Sequence, residues 1–152
     1  MNGEHQDSGM VMVETNLDDM PGEWMGYVLD LLFENGAKDA YYTPIYMKKN
    51  RPAQKLSVLV AACDLEKISS LLFRETTTLG VRYYSVTCHR LEREFIQVDL
   101  GDWGKITVKI GKQDGNIVQI APEYEDCAKV ARLHKVPLKH VYDKAKEAYL
   151  VN

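Results

Sequence analysis

Tyr-Met-Lys-Lys-Asn-Arg-Pro, residues 46–52, is a charged turn between two stretches whose aromatic and β-branched residues predict strands. Its central residues, 48–51, place three cations and one amide at a sharp chain reversal. Pro52 has no N–H to donate, so we expect it to end the strand pairing. A hairpin needs a polar turn but not three positive charges. The turn predicts either a phosphate site or a solubilising segment that discourages edge pairing.

The segments on either side of the turn predict a ferredoxin-like sheet. In chain order the expected elements are a strand at 11–15, a helix at 23–35, strands at 40–47 and 56–63, a second helix that Asp64 can cap and that runs out through 74–78, and a strand at 81–91. The first helix carries apolar residues at helical spacing, including Trp24, Tyr27, Val28 and Leu32. The order β-α-β-β-α-β is that of the split βαβ fold.

This element order predicts that three distant segments meet at one edge of the sheet, which we call the upper edge. If the first strand runs upward, the loop after it, with Asn16, Asp18 and Asp19, lies at the top. The next strand also climbs, which brings the 48–51 turn to the same edge. The second helix climbs too, and so residues 76–82 lie there as well.

The rest of the chain predicts a three-stranded meander followed by two helices. The expected strands are residues 95–100, 106–110 and 117–120. Asp114-Gly115 is a strong hairpin signal, and Pro122 and Pro137 are expected to open the helices. The predicted fold class is therefore α+β, with a ferredoxin-like βαββαβ sheet, a three-stranded meander and two C-terminal helices.

Length and composition limit the domain organisation and the class of partner. The 152 residues predict a disordered tail at 1–10, a ferredoxin-like domain at 11–93 and a meander plus two-helix subdomain at 94–152. A formal charge of -3 provides no global basic field for nucleic acid. No apolar run approaches the roughly 20 residues that span a bilayer. Three widely spaced cysteines argue against a disulfide framework and predict a reducing, cytoplasmic location.

Acidic and hydroxyl residues at the predicted upper edge have two interpretations each. Asp18 and Asp19 suit a hard cation such as Mg²⁺ or Mn²⁺, or they cap the first helix. The hydroxyls of residues 76–78, with Arg74 and Arg82, suit phosphate or sugar oxygens, or they complete the end of the second helix. A polyphosphate bound at this edge would favour metal binding by the two aspartates and phosphate binding by the hydroxyl and arginine residues.

The second half offers further candidate ligands. Three acidic residues fit the first turn of a helix, or a metal or general-base cluster: Glu123, Glu125 and Asp126. Three cysteines fit buried small hydrophobes better than soft-metal ligands: Cys63, Cys88 and Cys127. His89 and His140 are single residues that suit nickel chemically, but their spacing does not predict a site.

Four motifs together resemble the C-terminal domain of the LarC family. They are Glu-Thr-Asn-Leu-Asp-Asp-Met (14–20), Thr-Pro-Ile-Tyr-Met-Lys-Lys-Asn-Arg-Pro (43–52), Leu-Phe-Arg-Glu-Thr-Thr-Thr-Leu-Gly-Val-Arg-Tyr (72–83) and Ala-Pro-Glu-Tyr-Glu-Asp-Cys (121–127). The resemblance extends from about residue 11 to residue 148, and the motifs stand in the order of the family.

The resemblance implies a CTP-dependent nickel insertase, or cyclometallase, of the lyase class. The family places Ni²⁺ into pyridinium-3,5-bisthiocarboxylic acid mononucleotide to give the nickel-pincer nucleotide cofactor of lactate racemase. Its C-terminal part is associated with CTP and with Mn²⁺ or Mg²⁺. The implied nucleotide ligands are Lys48, Lys49, Asn50, Arg51, Arg74, Thr76, Thr77, Thr78 and Arg82. The implied metal ligands are Asp18, Asp19, Glu123, Glu125 and Asp126.

Family members carry a preceding domain and often a His-rich stretch, which this chain lacks. We therefore expect a fragment or a separately made half that needs the N-terminal LarC domain for full activity and CTP hydrolysis. Pairing of sheet edges predicts a homo-oligomer. Two other interpretations stay open, namely a nucleotide-binding regulatory or oligomerisation module without catalysis of its own, and a structural domain with a charged turn.

Overall fold

The computed structural model describes residues 5–151. The elements of the first half are β1 His5–Leu17, α1 Trp24–Glu34, β2 Asp39–Met47, β3 Arg51–Ala61, α2 Leu65–Glu75 and β4 Arg82–Arg90. Those of the second half are β5 Glu92–Asp99, β6 Lys105–Gln113, β7 Asn116–Pro122, α3 Tyr124–His134 and α4 Leu138–Val151. The chain divides into two compact units, one of residues 7–88 and the other containing the residues from His89 onward together with the start of β1.

The first unit confirms the predicted ferredoxin-like topology. Its sheet has the strand order β2-β3-β1-β4. β3 runs antiparallel to both β2 and β1, with Ala40 opposite Val58 and Val13 opposite Val58 on its other side. The alternating residues Val11, Val13 and Leu17 of β1 are buried against the two helices. This packing fixes the strand ends, and with them the upper edge.

Helix α1 packs on a face that differs by one position from the predicted one. Its buried residues are Met25, Val28 and Leu32, whereas Trp24 and Tyr27 are 46% and 62% exposed. The predicted and the observed buried faces share Val28 and Leu32, so the spacing of apolar residues alone does not distinguish between them. The flexible Met25 side chain fills the core in place of the larger aromatic rings.

Three details of the first unit correct the predictions. β1 begins at His5, so residues 5–10 of the predicted tail form a strand, and Met10 is buried opposite Ala61. Residues 1–4 of that tail lie outside the described residues. Pro52 does not end the pairing, since it lies opposite Tyr46 of β2. At this position β3 no longer pairs with β1, so the missing N–H of proline is tolerated. Asp64 occupies the position before α2 without a side-chain capping bond.

The second unit confirms the predicted meander and helices, except that Pro122 ends β7 and α3 begins at Tyr124. Its sheet has the order β5-β6-β7 with antiparallel pairs, and α3 and α4 pack against it around Ile106, Val108 and Val141. The β6–β7 turn has positive φ at Asp114 and Gly115, 50° and 77°, as a two-residue hairpin turn requires. Among the described residues, no helix is long and apolar enough to cross a membrane.

Candidate functional site

The upper edge of the first unit brings together the three segments that the topology predicted. The Arg51 guanidinium contacts the Asp18 carboxylate, with Nη1 and Oδ2 3.3 Å apart. The Thr77 hydroxyl donates a 2.6 Å hydrogen bond to Asp19 Oδ1. These two contacts join the loop after β1 to the β2–β3 turn on one side and to the α2–β4 segment on the other. The predicted convergence is confirmed.

The threonine segment is fastened to β1 by a buried hydroxyl. Thr15 is 1% exposed, and its hydroxyl lies 2.5 Å from the Thr78 hydroxyl and donates to the Gly80 carbonyl at 3.1 Å. Thr76 has a different task, because its hydroxyl donates to the Leu72 carbonyl at 2.6 Å and completes the end of α2. The three threonines therefore have different roles, and it is the Thr77 hydroxyl that donates to a carboxylate of the loop after β1.

Arg82 is held in place by two side chains of β1. Its Nε donates to Glu14 Oε2 at 3.2 Å, and its Nη2 donates to Asn16 Oδ1 at 3.0 Å. Arg82, Asp18, Asp19 and Thr77 line one cleft of about 320 Å³. A guanidinium that is already oriented loses less freedom when it binds a phosphate oxygen.

Glu14, Lys55 and Tyr84 belong to this arrangement, although the sequence did not reveal them. Lys55 Nζ lies 3.3 Å from Glu14 Oε1, and the Tyr84 hydroxyl lies at the same distance from that oxygen. Burial and the Glu14 charge raise the pKa of Tyr84, which keeps its hydroxyl protonated as the donor. The missed signal was strand alternation, which puts Glu14 and Asn16 on the same face of β1.

The Glu14 ion pairs predict a pH-dependent stability. Burial acts to raise the pKa of this carboxyl, but hydrogen bonds from Lys55 and Arg82 outweigh it and hold the pKa below the ordinary 4.5. A lowered pKa means that the stabilisation is full above about pH 4.5 and is lost as the pH falls through the folded-state value. We expect Glu14→Gln to be less stable than the wild type by about 1 kcal/mol at pH 7.

Urea unfolding at pH 7 and pH 3 checks this prediction. The difference in unfolding free energy between the wild type and Glu14→Gln should shrink at pH 3. Glu147→Gln, on the exposed surface of α4, is the control and should show no such change. A Glu14→Gln difference that stays constant or grows in acid would contradict the assigned ion pairs.

The β2–β3 turn presents its cations on a strained backbone. Lys48, Lys49 and Asn50 are exposed, and the described residues provide no ion-pair partner for either lysine. Lys49 has φ 61° and ψ 23°, and Asn50 has φ 57°, so both lie in the left-handed region. Asn tolerates this region, but a lysine there carries a cost of about 1 kcal/mol. Retained strain of this kind is typical of functional positions.

Replacing Lys49 by Gly separates this strain from the charge. We expect Lys49→Gly to raise the unfolding free energy, by up to about 1 kcal/mol, because glycine adopts positive φ freely. Lys48→Gly, in the same turn, lacks positive φ and should not stabilise. Thermal unfolding measures both variants. A lower melting temperature for Lys49→Gly than for Lys48→Gly would show that residue 49 is not strained.

Arg74 lies in a neighbouring cleft. It pairs with Glu75, with Nε and Oε1 2.6 Å apart, and lines a cleft of about 430 Å³ together with Trp24, Tyr27 and Thr76. The structure therefore divides the predicted nucleotide ligands. Thr77, Thr78 and Arg82 face one cleft, whereas Arg74 and Thr76 face the other.

Asp18 and Asp19 fit a divalent cation that also binds phosphate. Within the part of the chain that the structure describes, no group of three or more His, Cys, Asp or Glu side chains is placed to hold a metal ion. Mg²⁺ commonly takes one or two carboxylates and completes its shell with substrate phosphates and water. The carboxylates of Asp18 and Asp19, with the Arg51 guanidinium and the Thr77 hydroxyl beside them, are suited to such a metal–phosphate site.

Two of the three acidic residues at the start of α3 have structural partners in the second unit. Glu123 lies 3.6 Å from Lys109 Nζ. Asp126 accepts a 2.8 Å hydrogen bond from the backbone N–H of Thr107, and the hydroxyl and the N–H of that threonine hold the Asp126 pKa below its usual range. Glu125 lies in the first helical turn. As metal ligands, these three residues stay a prediction.

The three cysteines are free but differ in environment. Cys127 is buried, as predicted, and burial raises the pKa of its thiol to about 11. It is therefore a protonated core residue near neutral pH. Cys63 is exposed and Cys88 is intermediate, so the prediction that all three are buried was wrong for these two.

Comparisons with known proteins match the motifs and the fold. Residues 1–142 match the family described as Nickel insertion protein. A pyridinium-3,5-bisthiocarboxylic acid mononucleotide nickel insertion protein of Thermotoga petrophila is 45% identical over 133 residues, 88% of this chain and 33% of that protein. The protein of the same name from Acetivibrio thermocellus is 47% identical over 148 residues, 97% and 36% of the two chains. The chain thus spans about a third of the length of these curated relatives.

One solved structure has nearly the same extent as this chain. It is the apo form of LarC2, the C-terminal domain of a cyclometallase involved in the synthesis of the NPN cofactor of lactate racemase. The two chains superpose with a TM-score of 0.88 and are 39% identical, and the match covers 95% of this chain and 99% of LarC2. The resemblance inferred from the four motifs is confirmed.

Proposed function

Because the chain belongs to the nickel insertion protein family, we propose that it binds CTP with a divalent metal at the upper edge and is the CTP-binding part of a nickel insertase. The observation that carries the proposal is the pair of contacts Arg51–Asp18 and Thr77–Asp19. They bring cations, a hydroxyl and two carboxylates from three segments into one place. A triphosphate with its metal needs this mixture of donors and acceptors.

Each segment has a defined task in this proposal. Lys48 and Lys49 supply point charges for the phosphates, while Arg51 and Arg82 supply planar forks of donors. Asp18 and Asp19 hold Mn²⁺ or Mg²⁺, which neutralises phosphate charge when bound. With Asp18 holding the metal, the Arg51 guanidinium would be free to contact phosphate in place of that carboxylate. Thr77 keeps Asp19 oriented through the hydrogen bond that already exists.

The wider reaction extends beyond this chain. The proposed substrate is pyridinium-3,5-bisthiocarboxylic acid mononucleotide, and Ni²⁺ is the inserted metal, as the names of the curated relatives suggest. Since the chain spans about a third of those relatives, we propose that CTP hydrolysis and nickel insertion also need the N-terminal part of the family. The proposed location is the cytoplasm.

Titration calorimetry with CTP and with ATP, each with and without Mn²⁺, tests the proposal. CTP is expected to bind more tightly than ATP and to bind more tightly with Mn²⁺ than without it. Equal binding of both nucleotides would remove the cytidine preference. Absence of CTP binding under all conditions would overturn the proposed function.

A second candidate function is a nucleotide-dependent assembly module. Both edge strands of the first sheet expose aromatic side chains, with Tyr46 of β2 76% exposed and Tyr83 of β4 59% exposed. Edge strands of this kind pair readily between subunits. Size-exclusion chromatography with and without CTP, combined with a CTP hydrolysis assay, distinguishes the two functions. Assembly without turnover in the presence of the N-terminal part would favour the module.

A further inference from the structure

The second unit contains a basic cleft that the proposed CTP site does not use. It has a volume of about 360 Å³ and is lined by Arg90, Leu91, Arg93, Lys109, Gly111 and Gln119. The lining residues come from β4, β5, β6, β7 and the β4–β5 connection, so the cleft is built by the sheet and not by a single loop. Its volume lies in the range of small-molecule sites, about 300–1,000 Å³.

The cations of this cleft are incompletely neutralised. Lys109 Nζ lies 3.6 Å from Glu123 Oε1. Within the described part of the chain, neither Arg90 nor Arg93 has an ion-pair partner. Two arginines without carboxylate partners at one cleft favour an anion that has more than one acid group, because each guanidinium can bind a carboxylate through two parallel hydrogen bonds.

The floor of the cleft is apolar and closely packed. A Cβ atom at Gly111 would lie 3.1 Å from Gln119 Cβ and 3.3 Å from Leu91 Cδ1, which is too close for ordinary contact. Glycine at this position therefore lets the Leu91 and Gln119 side chains pack directly on the β6 backbone, where Gly111 is buried. Cations around an apolar floor suit a flat ring better than a fully hydrated anion such as phosphate.

We infer that this cleft binds a planar aromatic ring that carries two acid groups, with Arg90 and Arg93 on the acid groups and Leu91 and Gly111 beneath the ring. The inference rests on the proposed function, whose substrate is a pyridinium ring with two thiocarboxylic groups. The structure thereby assigns the ring of that substrate to the second unit and CTP to the first. The assigned binding involves no covalent step.

Titration of the whole chain with pyridine-3,5-dicarboxylate, followed by NMR, tests this inference. The amide signals of β5 and β6 are expected to shift. The double variant Arg90→Ala/Arg93→Ala should bind at least about tenfold more weakly, since hydrogen bonds to charged groups are lost. The matched control Lys129→Ala/Arg132→Ala removes two exposed cations of α3 and should bind like the wild type. Unperturbed signals elsewhere in β5–β7 establish that each variant is folded.

The two proposals fail separately in this experiment. Loss of dicarboxylate binding in the Arg90/Arg93 variant, with CTP binding intact, supports the inference. Dicarboxylate binding that is unaffected in that variant, absent from the wild type or displaced by equimolar inorganic phosphate would overturn it. None of these outcomes bears on CTP binding. The amide signals of the first unit in the same samples report CTP binding independently.

Discussion

Lys49→Ala/Arg51→Ala is expected to weaken CTP binding about 100-fold, because each lost cation removes a charged hydrogen bond worth about 1.5–3 kcal/mol. Lys49 is exposed without an ion-pair partner in the described chain, so its charge is available to phosphate. Arg51 contributes less than the upper figure, since it must first leave Asp18. Isothermal titration calorimetry with CTP and Mn²⁺ measures the change.

The control for this prediction is Lys139→Ala/Lys146→Ala. Both lysines are exposed on α4, and the change in net charge is the same. If CTP binds by local contacts, the control should retain the affinity of the wild type. Equal losses of CTP affinity in the two variants would mean that the turn acts only through the net charge of the protein. Unchanged CTP affinity in Lys49→Ala/Arg51→Ala would mean that the turn is a solubilising segment and not a phosphate site.

Asp18→Asn/Asp19→Asn is expected to abolish the effect of the metal on CTP binding. In the wild type, Mn²⁺ should tighten CTP binding by at least about tenfold, because two carboxylates and the phosphates share it. In the variant this gain should disappear. CTP without metal should bind the variant more tightly than the wild type, since each removed carboxylate relieves a repulsion of about 1 kcal/mol at ~4 Å in water.

The substitution preserves the local structure, which keeps the result interpretable. An asparagine side-chain oxygen can still accept the Thr77 hydrogen bond that Asp19 accepts. The lost Arg51–Asp18 pair is half-exposed and contributes little to stability. Asp30→Asn/Asp143→Asn, at exposed helical positions, is the matched control. A variant that retains the full gain from Mn²⁺ would place the metal elsewhere.

Element order was predictable because hydrophobic spacing and turn residues specify it locally. The βαββαβ order followed from a few apolar stripes and one charged turn, and the meander followed from signals such as Asp114-Gly115. Element ends were less predictable. β1 extends back to His5 through polar residues, since strand pairing uses backbone groups that every residue except proline provides in full.

The site was predictable as far as topology determines it. The order of elements alone brought Asp18, Asp19 and Arg51 to one edge, and the contacts confirm this. Glu14 was missed because a carboxylate within a strand looks like ordinary polar alternation. Its role depends on register and neighbours, since Lys55 and Arg82 come from β3 and β4. The pairing of strands distant in sequence cannot be read from local spacing.

A crystal structure of the protein soaked with MnCl₂ and CTP tests the central claim most directly. We predict an anomalous manganese peak beside Asp18 and Asp19, with the triphosphate between the 48–51 turn and the segment from Thr77 to Arg82. The Arg51 guanidinium should then contact phosphate in place of Asp18. Manganese and CTP bound elsewhere on the chain, with the Arg51–Asp18 contact unchanged, would contradict the account.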